Sequence, residues 1–120
     1  MEIRLLAREN NKSYVGEFLG TVAATDKKAF LFVSDRITSL RDNPLGQLLA
    51  AEQVKKIRDG LYELRVKFRG MCYRILFIVK EAICWLLHAI VKKTDKLPPN
   101  DIKIALDRAK LVPSKNFTTL

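Results

Sequence analysis

The stretch that decides the fold runs from residue 61 to residue 93, LYELRVKFRGMCYRILFIVKEAICWLLHAIVKK. Over residues 62–68, apolar side chains at even positions alternate with charged side chains at odd positions, the period of a strand with one buried and one open face. The next two segments, 72–80 and 82–92, are apolar at almost every position, which is typical of strands in the middle of a sheet with helices packed on it. We therefore predict three antiparallel strands joined by two short hairpins.

The first hairpin decides which charged side chains lie together. Gly70 is placed to be the first central residue of a two-residue type II′ loop. That loop would pair Lys67 with Arg74 and would put Arg65 on the same face of the sheet. We therefore expect these three cations to converge on one open face, with Arg74 pointing outward from an otherwise apolar strand.

The second hairpin, around residues 80–82, allows two registers. A three-residue loop sets Arg74 opposite His88, whereas a two-residue loop sets Arg74 opposite Ala89. We prefer the first register, because it leaves Trp85 and Leu87 on the buried face.

Helices are predicted on both sides of this block. Residues 2–7 indicate a first strand, and Ser13 is a candidate N-cap for a short helix after it. Thr25 or Asp26 would cap a second, amphipathic helix that ends before Pro44. Residues 45–60 are either a third short helix or an irregular connection, and Asn100 would cap a C-terminal helix. The order predicts one α+β domain with a single core over residues 1–112, followed by a loose tail, 113–120.

The charge is concentrated in one half of the chain. The formal net charge is +9, and residues 1–52 contribute nothing to it, with seven basic and seven acidic side chains. Residues 53–120 hold the other fifteen basic side chains and six acidic ones. A positive field confined to one region attracts polyanions, which favours nucleic acid or an acidic protein as the partner.

Two cysteines, Cys72 and Cys84, lie inside apolar runs and are expected to be buried, reduced thiols. Together with the lack of a leader peptide, they indicate a cytoplasmic protein. Charged residues interrupt the apolar window 71–91, so no membrane span is expected. The spacing of Cys, His and acidic residues suggests no metal site, and no glycine-rich loop suggests nucleotide binding, so we expect no cofactor.

Four segments carry a family resemblance: LYELR (61–65), YRILF (73–77), LLHAIVKKTDKLPP (86–99) and IKIALDRAK (102–110). In this order they resemble the RelE/ParE superfamily of toxins from type II toxin–antitoxin systems, and most of all its HigB-like, phage-related branch. The similarity covers about residues 55–110. It implies a small antiparallel sheet with two N-terminal helices packed on one face and a C-terminal helix.

The resemblance also implies a function: an endoribonuclease that cuts messenger RNA on the ribosome and is neutralised by a cognate antitoxin, expected to be a small helix-turn-helix protein. Carried over by motif, Arg65, Arg74 and Lys93 fall at basic positions of the site. Glu63 stands where ribosome-dependent relatives often have a second lysine, which leaves the proton-transfer roles open.

RNA cleavage of this kind needs cations to stabilise the phosphorane that forms when a 2′-hydroxyl attacks its neighbouring phosphate, and groups that move protons. We take Arg65 and Arg74 as the phosphate clamp, and His88 as a candidate proton-transfer group because its ordinary pKa lies near neutrality. The catalytic set is completed by Lys93. The predicted RNA-binding lysines are Lys55, Lys56, Lys67 and Lys92.

Each of these assignments has a structural alternative. Arg65 and Arg74 could form ion pairs with Glu63 or a helix carboxylate, and a lone histidine among apolar neighbours is more often a satisfied core residue than a catalyst. Two other functions stay open at this point. One is a ParE-like toxin that binds DNA gyrase without nuclease activity, and the other is a basic domain that binds RNA without cutting it.

Overall fold

The computed structural model describes residues 1–94 and 96–120. These residues form a six-stranded mixed sheet and four helices, so the predicted α+β class is confirmed. In chain order the elements are β1 (Glu2–Leu6), α1 (Tyr14–Thr25), α2 (Lys27–Asp42), α3 (Leu45–Ala50), β2 (Val54–Arg58), β3 (Leu61–Phe68), β4 (Met71–Lys80), β5 (Ile83–Lys92), α4 (Pro99–Ala109) and β6 (Phe117–Thr119). Residues 45–60, for which two interpretations were open, hold both α3 and β2.

The strand order is β2-β3-β4-β5-β1-β6. Strands β2 to β5 form an antiparallel meander, but β1 pairs with β5 in parallel. The expected purely antiparallel sheet is therefore wrong at this pair. Strand β6 pairs antiparallel with β1, so residues 113–120 contain a strand of the sheet and are not a loose tail.

Three hairpins in the described part of the chain have two-residue loops in which each residue has a positive φ. These loops are Asp59 (φ 51) and Gly60 (φ 79) between β2 and β3, Arg69 (φ 52) and Gly70 (φ 78) between β3 and β4, and Glu81 (φ 54) and Ala82 (φ 63) between β4 and β5. Two positive φ values define a type I′ turn, whose twist matches that of the strands it joins. The predicted type II′ loop beginning at Gly70 is therefore wrong, because the loop begins one residue earlier, at Arg69, and is of type I′.

This turn changes the pairing of β3 with β4. Arg65 lies directly opposite Arg74, and Lys67 lies opposite Cys72. The predicted pair of Lys67 with Arg74 is therefore wrong, although all three cations share one face because directly opposed residues point the same way.

The pairing of β4 with β5 shifts by one residue at Leu87. On one side of this bulge Arg74 lies opposite Ile90, and His88 lies opposite Leu76. Both registers considered for the second hairpin are therefore wrong, because a bulge places two residues of one strand against one of the other.

Each face of the sheet has its own hydrophobic core, where a single core was expected. The first core lies between the sheet and α1, α2 and α3, and contains Val33, Ile37, Leu64 and Phe77. The second core lies on the opposite face under α4, and it includes Leu61, Leu76, Trp85, Leu87 and Ala105. Trp85 and Leu87 are buried as predicted, but against α4.

Two of the predicted helix caps are confirmed. The Ser13 hydroxyl accepts a hydrogen bond from the Gly16 amide at 3.0 Å, and the Asp26 carboxylate caps α2 in the same way. The predicted cap at Asn100 is wrong, because α4 already begins at Pro99. No described helix is long and apolar enough to cross a membrane.

Cys72 and Cys84 are free and buried, as predicted. Burial raises the pKa of the Cys84 thiol to about 12. A thiol with so high a pKa is protonated at neutral pH and is a poor nucleophile.

Candidate nucleic-acid interface

The face of the sheet that α4 covers in part carries a row of side chains across β3, β4 and β5, and those on β3 and β4 are arginines. Arg65 and Arg74 are directly opposed, and Ile90 follows on β5. On the other side of Arg65, its amide donates to the carbonyl oxygen of Gln53 at 3.1 Å, so Gln53 extends the row just before β2 begins. Lys67 and the residues opposite it form the next row outward.

A buried carboxylate joins the two arginines. Arg74 Nη1 donates to Glu63 Oε2 at 2.9 Å, and Arg65 Nε donates to Glu63 Oε1 at 3.1 Å. The side chains of Glu63 and Arg74 are fully buried, while that of Arg65 is 26% exposed. The prediction that Arg74 points outward from an open face is therefore wrong, and the ion pair with Glu63 is present. Of the two arginines, only Arg65 reaches solvent.

Arg74 also ties down the chain that follows β5. Its Nη2 atom donates to the carbonyl oxygen of Thr94 at 3.1 Å. Within the described part of the chain, its Nε atom has no hydrogen-bond partner. Arg74 thus connects the segment after β5 to the β3–β4 hairpin, and its buried Nε–H remains an unsatisfied donor.

A groove with a volume of about 820 Å³ lies beside Arg65, where β2 begins and β3 approaches α2. We call it the basic groove, because its lining contains five cations and one carboxylate, that of Glu52. The cations are Arg36, Lys55, Lys56, Arg65 and Lys67. Four of them were predicted as site residues. Such a density of positive charge in a concave surface concentrates polyanions.

Arg36 is the member of the basic groove that the sequence analysis missed. It lies on α2, where its only signal in the sequence is a charge on the polar side of an amphipathic helix. Only the packing of α2 against β3 brings Arg36 to the groove.

The groove also contains a neutral polar group. Gln53 lines it, and the Gln53 Oε1 atom is buried without a hydrogen-bond partner among residues 1–94 and 96–120. A buried oxygen without a hydrogen-bond partner costs about 1–3 kcal/mol of folding free energy. A ligand or water that donates a hydrogen bond to Gln53 Oε1 would recover part of that free energy.

The remaining predicted lysines lie at the end of the sheet where the β3–β4 hairpin turns. Lys93 lines a smaller hollow of about 350 Å³ together with Lys67 and Arg69. Lys92 is exposed on β5, opposite Cys72. Because Lys67 lines both the hollow and the basic groove, the two form one continuous positive surface.

His88 lies elsewhere, under α4. Its Nε2 atom is 2.7 Å from Asp101 Oδ1, and its Nδ1 atom is 3.1 Å from Arg108 Nη1. A guanidinium can only donate, so Nδ1 accepts and Nε2 carries the proton that is donated to Asp101. Arg108 also donates to the Leu87 carbonyl oxygen, and burial lowers the pKa of Arg108. Both ring nitrogens of His88 are thus engaged in attaching α4 to the sheet.

A cluster of three or more His, Cys, Asp or Glu side chains that could hold a metal ion does not occur in the part of the chain that the structure describes. The chemistry of the basic groove is that of arginine and lysine: bidentate and point-charge contacts to phosphate oxygens.

A family model, Phage derived protein Gp49-like (DUF891), matches residues 17–110, from α1 to just beyond α4. This match places the chain among the RelE-like toxins. Within that class, the chain belongs to the phage-derived Gp49-like family. The comparison with curated proteins gives no significant match.

Proposed function

We propose that the chain is the HigB-like toxin of a type II toxin–antitoxin system, an endoribonuclease that cleaves messenger RNA on the ribosome and inhibits translation. The observation that carries the proposal is the position of Arg65. It is a partly exposed arginine in the wall of the basic groove, and a fully buried carboxylate orients it.

Substrate binding follows from the charges. A single RNA strand laid along the basic groove would place its phosphates against Arg36, Lys55 and Lys56, and each neutralised phosphate releases condensed counterions. Lys67 and Lys93 extend the same contact toward the end of the sheet where the β3–β4 hairpin turns. Lys92 provides a further cation there.

Arg65 is the residue that we assign to the reacting phosphate. Its Nε and Nη2 atoms are both 3.1 Å from Glu63 Oε1, which leaves its Nη1 group to donate to a phosphate oxygen. A guanidinium held in place before the reaction stabilises the developing phosphorane without reorganising. Glu63 and Arg74 act as positioning residues in this scheme, because both are buried.

Proton transfer in this scheme falls to the lysines. Lys67 and Lys93 line the smaller hollow, where either could donate a proton to the leaving 5′-oxygen while a water molecule takes the proton of the attacking 2′-hydroxyl. His88, which was a candidate for this role, instead positions α4. No cofactor is required.

The expected partners follow from the same proposal. They are messenger RNA and the ribosome as substrate and platform, and a small helix-turn-helix antitoxin as inhibitor, all in the cytoplasm. The charge of the chain suits two of these partners, because both ribosome and messenger RNA are polyanions.

A second candidate is a domain that binds RNA without cutting it. The observation that favours it is the burial of Arg74 and the engagement of His88, which removes two predicted catalytic groups from the groove. The two candidates share the basic groove and differ only in whether a phosphodiester bond breaks.

The test is cleavage of a labelled messenger RNA by the purified protein, with and without ribosomes. We expect growth arrest on expression without antitoxin, new 5′ ends in translated regions, and products that end in a 2′,3′-cyclic phosphate. The Arg65→Gln variant should lose these activities, and the Arg41→Gln variant, which changes an exposed arginine paired with Asp42, should keep them. Bound but intact RNA would support the second candidate. Intact transcripts with gyrase-dependent DNA damage would instead favour a ParE-like toxin.

A further inference from the structure

Two phenylalanines form an aromatic pair at the surface of the molecule. Phe32 of α2 and Phe68 of β3 have ring centroids 5.2 Å apart and are tilted by 31°. Phe32 is 36% exposed. Each ring also carries a guanidinium, Arg36 at 5.2 Å from the Phe32 centroid and Arg69 at 5.0 Å from that of Phe68.

The Phe32–Phe68 pair adjoins both parts of the positive surface. Arg36, which packs on Phe32, also lines the basic groove. Phe68 lines the smaller hollow together with Lys67 and Lys93. The two rings therefore adjoin cations on both sides.

Phe32 lies outside the buried stripe of α2. The residues of α2 that are buried are Ala29, Val33, Ile37 and Leu40. Phe32 packs against the partly buried Phe68 at the margin of the first core, with much of its ring in water. Next to it, Leu31 is 58% exposed. Phe32 lies outside the core stripe and is therefore available for contact with a ligand.

We propose that the Phe32–Phe68 pair is a stacking platform for an unpaired base of the RNA strand whose phosphates occupy the basic groove. The inference rests on the proposed function. Proteins that bind single-stranded RNA combine a positive groove with aromatic faces on which bases stack, and every base offers such a face. The guanidinium groups of Arg36 and Arg69 favour a polyanion over an apolar protein segment as the occupant. Each guanidinium could stack beside the bound base and also bind the phosphates next to that base.

The experiment measures binding of fluorescent 2′-O-methyl RNA, which cannot be cleaved through the 2′-hydroxyl, to the full-length protein. In a set of oligonucleotides, one base at a time is replaced by an abasic unit. We expect one position at which removing the base weakens binding by wild type about tenfold, the scale of one lost base–aromatic stack. The Phe32→Leu variant should bind the intact RNA about tenfold more weakly and lose nothing further at that position.

Two further variants control for folding and for general apolar contact. Phe32→Trp keeps a stacking surface and should bind as tightly as wild type or more tightly. Leu31→Ala removes the exposed neighbour on the same helix and should bind the RNA like wild type. Thermal unfolding of each variant shows that the domain is intact.

Several results would overturn the platform. If Phe32→Leu binds like wild type while Arg65→Gln binds weakly, the platform is wrong and the proposed function stands. If Phe32→Leu loses affinity equally for intact and abasic RNA at every position, Phe32 does not stack on a base. If Phe32→Leu and Leu31→Ala both keep RNA binding but lose binding to the antitoxin, the pair is a protein-docking surface. If wild type binds no RNA, both proposals are wrong.

Discussion

Arg65 and Arg74 face each other across the β3–β4 pair, and one carboxylate, that of Glu63, binds both guanidinium groups. Two cations at directly opposed positions of a sheet repel each other unless an anion lies between them. Glu63 removes this repulsion and leaves the two arginines in different environments, one buried and one partly in water. The buried arginine therefore supports the fold, and the partly exposed one is available for a ligand.

Removing one partner of the buried ion pair should destabilise the domain strongly. Replacing Arg74 by methionine leaves Glu63 in the interior with only Arg65, and breaking such a pair typically costs about 3–5 kcal/mol. Urea unfolding should show this loss for Arg74→Met. The double variant Glu63→Met/Arg74→Met should recover much of the loss, because it removes the buried charge as well. A single variant as stable as wild type would show that the pair contributes nothing to folding.

Arg65 should affect activity more than stability. Arg65→Lys keeps the charge but loses the bidentate fork, and Arg65→Gln loses both. We expect both variants to fold and the second to cleave RNA about two to three orders of magnitude more slowly. Single-turnover cleavage and circular dichroism on the same samples provide the measurement. A loss of activity that merely follows loss of the folded fraction would refute the role we assign to Arg65.

The lysines of the basic groove should determine the salt dependence of RNA binding. For single-stranded nucleic acid, each neutralised phosphate adds about 0.7 to the slope of log affinity against log salt. Lys55→Gln and Lys56→Gln should each reduce the slope by about that amount. Lys103→Gln, which changes an exposed lysine of α4 paired with Asp107, is the matched control. Equal slopes for all four proteins would place the RNA elsewhere.

His88 should matter for the attachment of α4. In His88→Ala, both Asp101 and Arg108 lose a hydrogen-bond partner, so we expect faster amide exchange in α4 and a lower melting temperature. The cleavage rate per folded molecule should stay within about threefold of wild type. Loss of a proton-transfer group would instead slow cleavage by about 10²-fold or more. Inactive protein with normal amide exchange would restore His88 as a catalytic residue.

Two glycines of α1 should respond differently to alanine. A Cβ at Gly20 has open space around it, so Gly20→Ala should stabilise the domain by about 0.5–1 kcal/mol. A Cβ at Gly16 would lie 2.2 Å from Ser13 Oγ, which must rotate away and lose its cap, a cost of about 1 kcal/mol. Gly16→Ala should therefore give no gain in the unfolding midpoint. An equal gain in both variants would mean that the Ser13 cap contributes nothing.

The sequence was most informative where a pattern repeats along one element. The alternation of residues 62–68 predicted β3, and the caps at Ser13 and Asp26 predicted the starts of two helices. Strand β2 was missed because it is a short edge strand with most of its side chains in water, so it lacks an apolar alternation. Arg36 was missed because its contribution depends on how α2 packs, and packing is not encoded in local spacing.

The site was predicted in part, and the errors share a cause. Lys55, Lys56, Arg65 and Lys67 do meet in one groove. The burial of Arg74 was not predictable from β4 alone, since it requires Glu63 opposite Leu76, a register fixed by the positive φ of Arg69. A positive φ at an arginine is unusual, so the sequence pointed to a loop that begins at Gly70.

The position of β1 in the sheet has a consequence for the order of folding. Its partner is β5, and Glu2 pairs with Ile83. The ends of the long intervening segment must therefore come together before this pairing can form, which costs chain entropy. The β3–β4 hairpin, by contrast, joins neighbours across a two-residue turn, and hairpins of this kind form in about 1–10 μs. We expect the strands that carry Arg65 and Arg74 to assemble early and the parallel pairing of β1 to come late. Until β1 docks, β5 has an unpaired edge, at which two chains can associate wrongly.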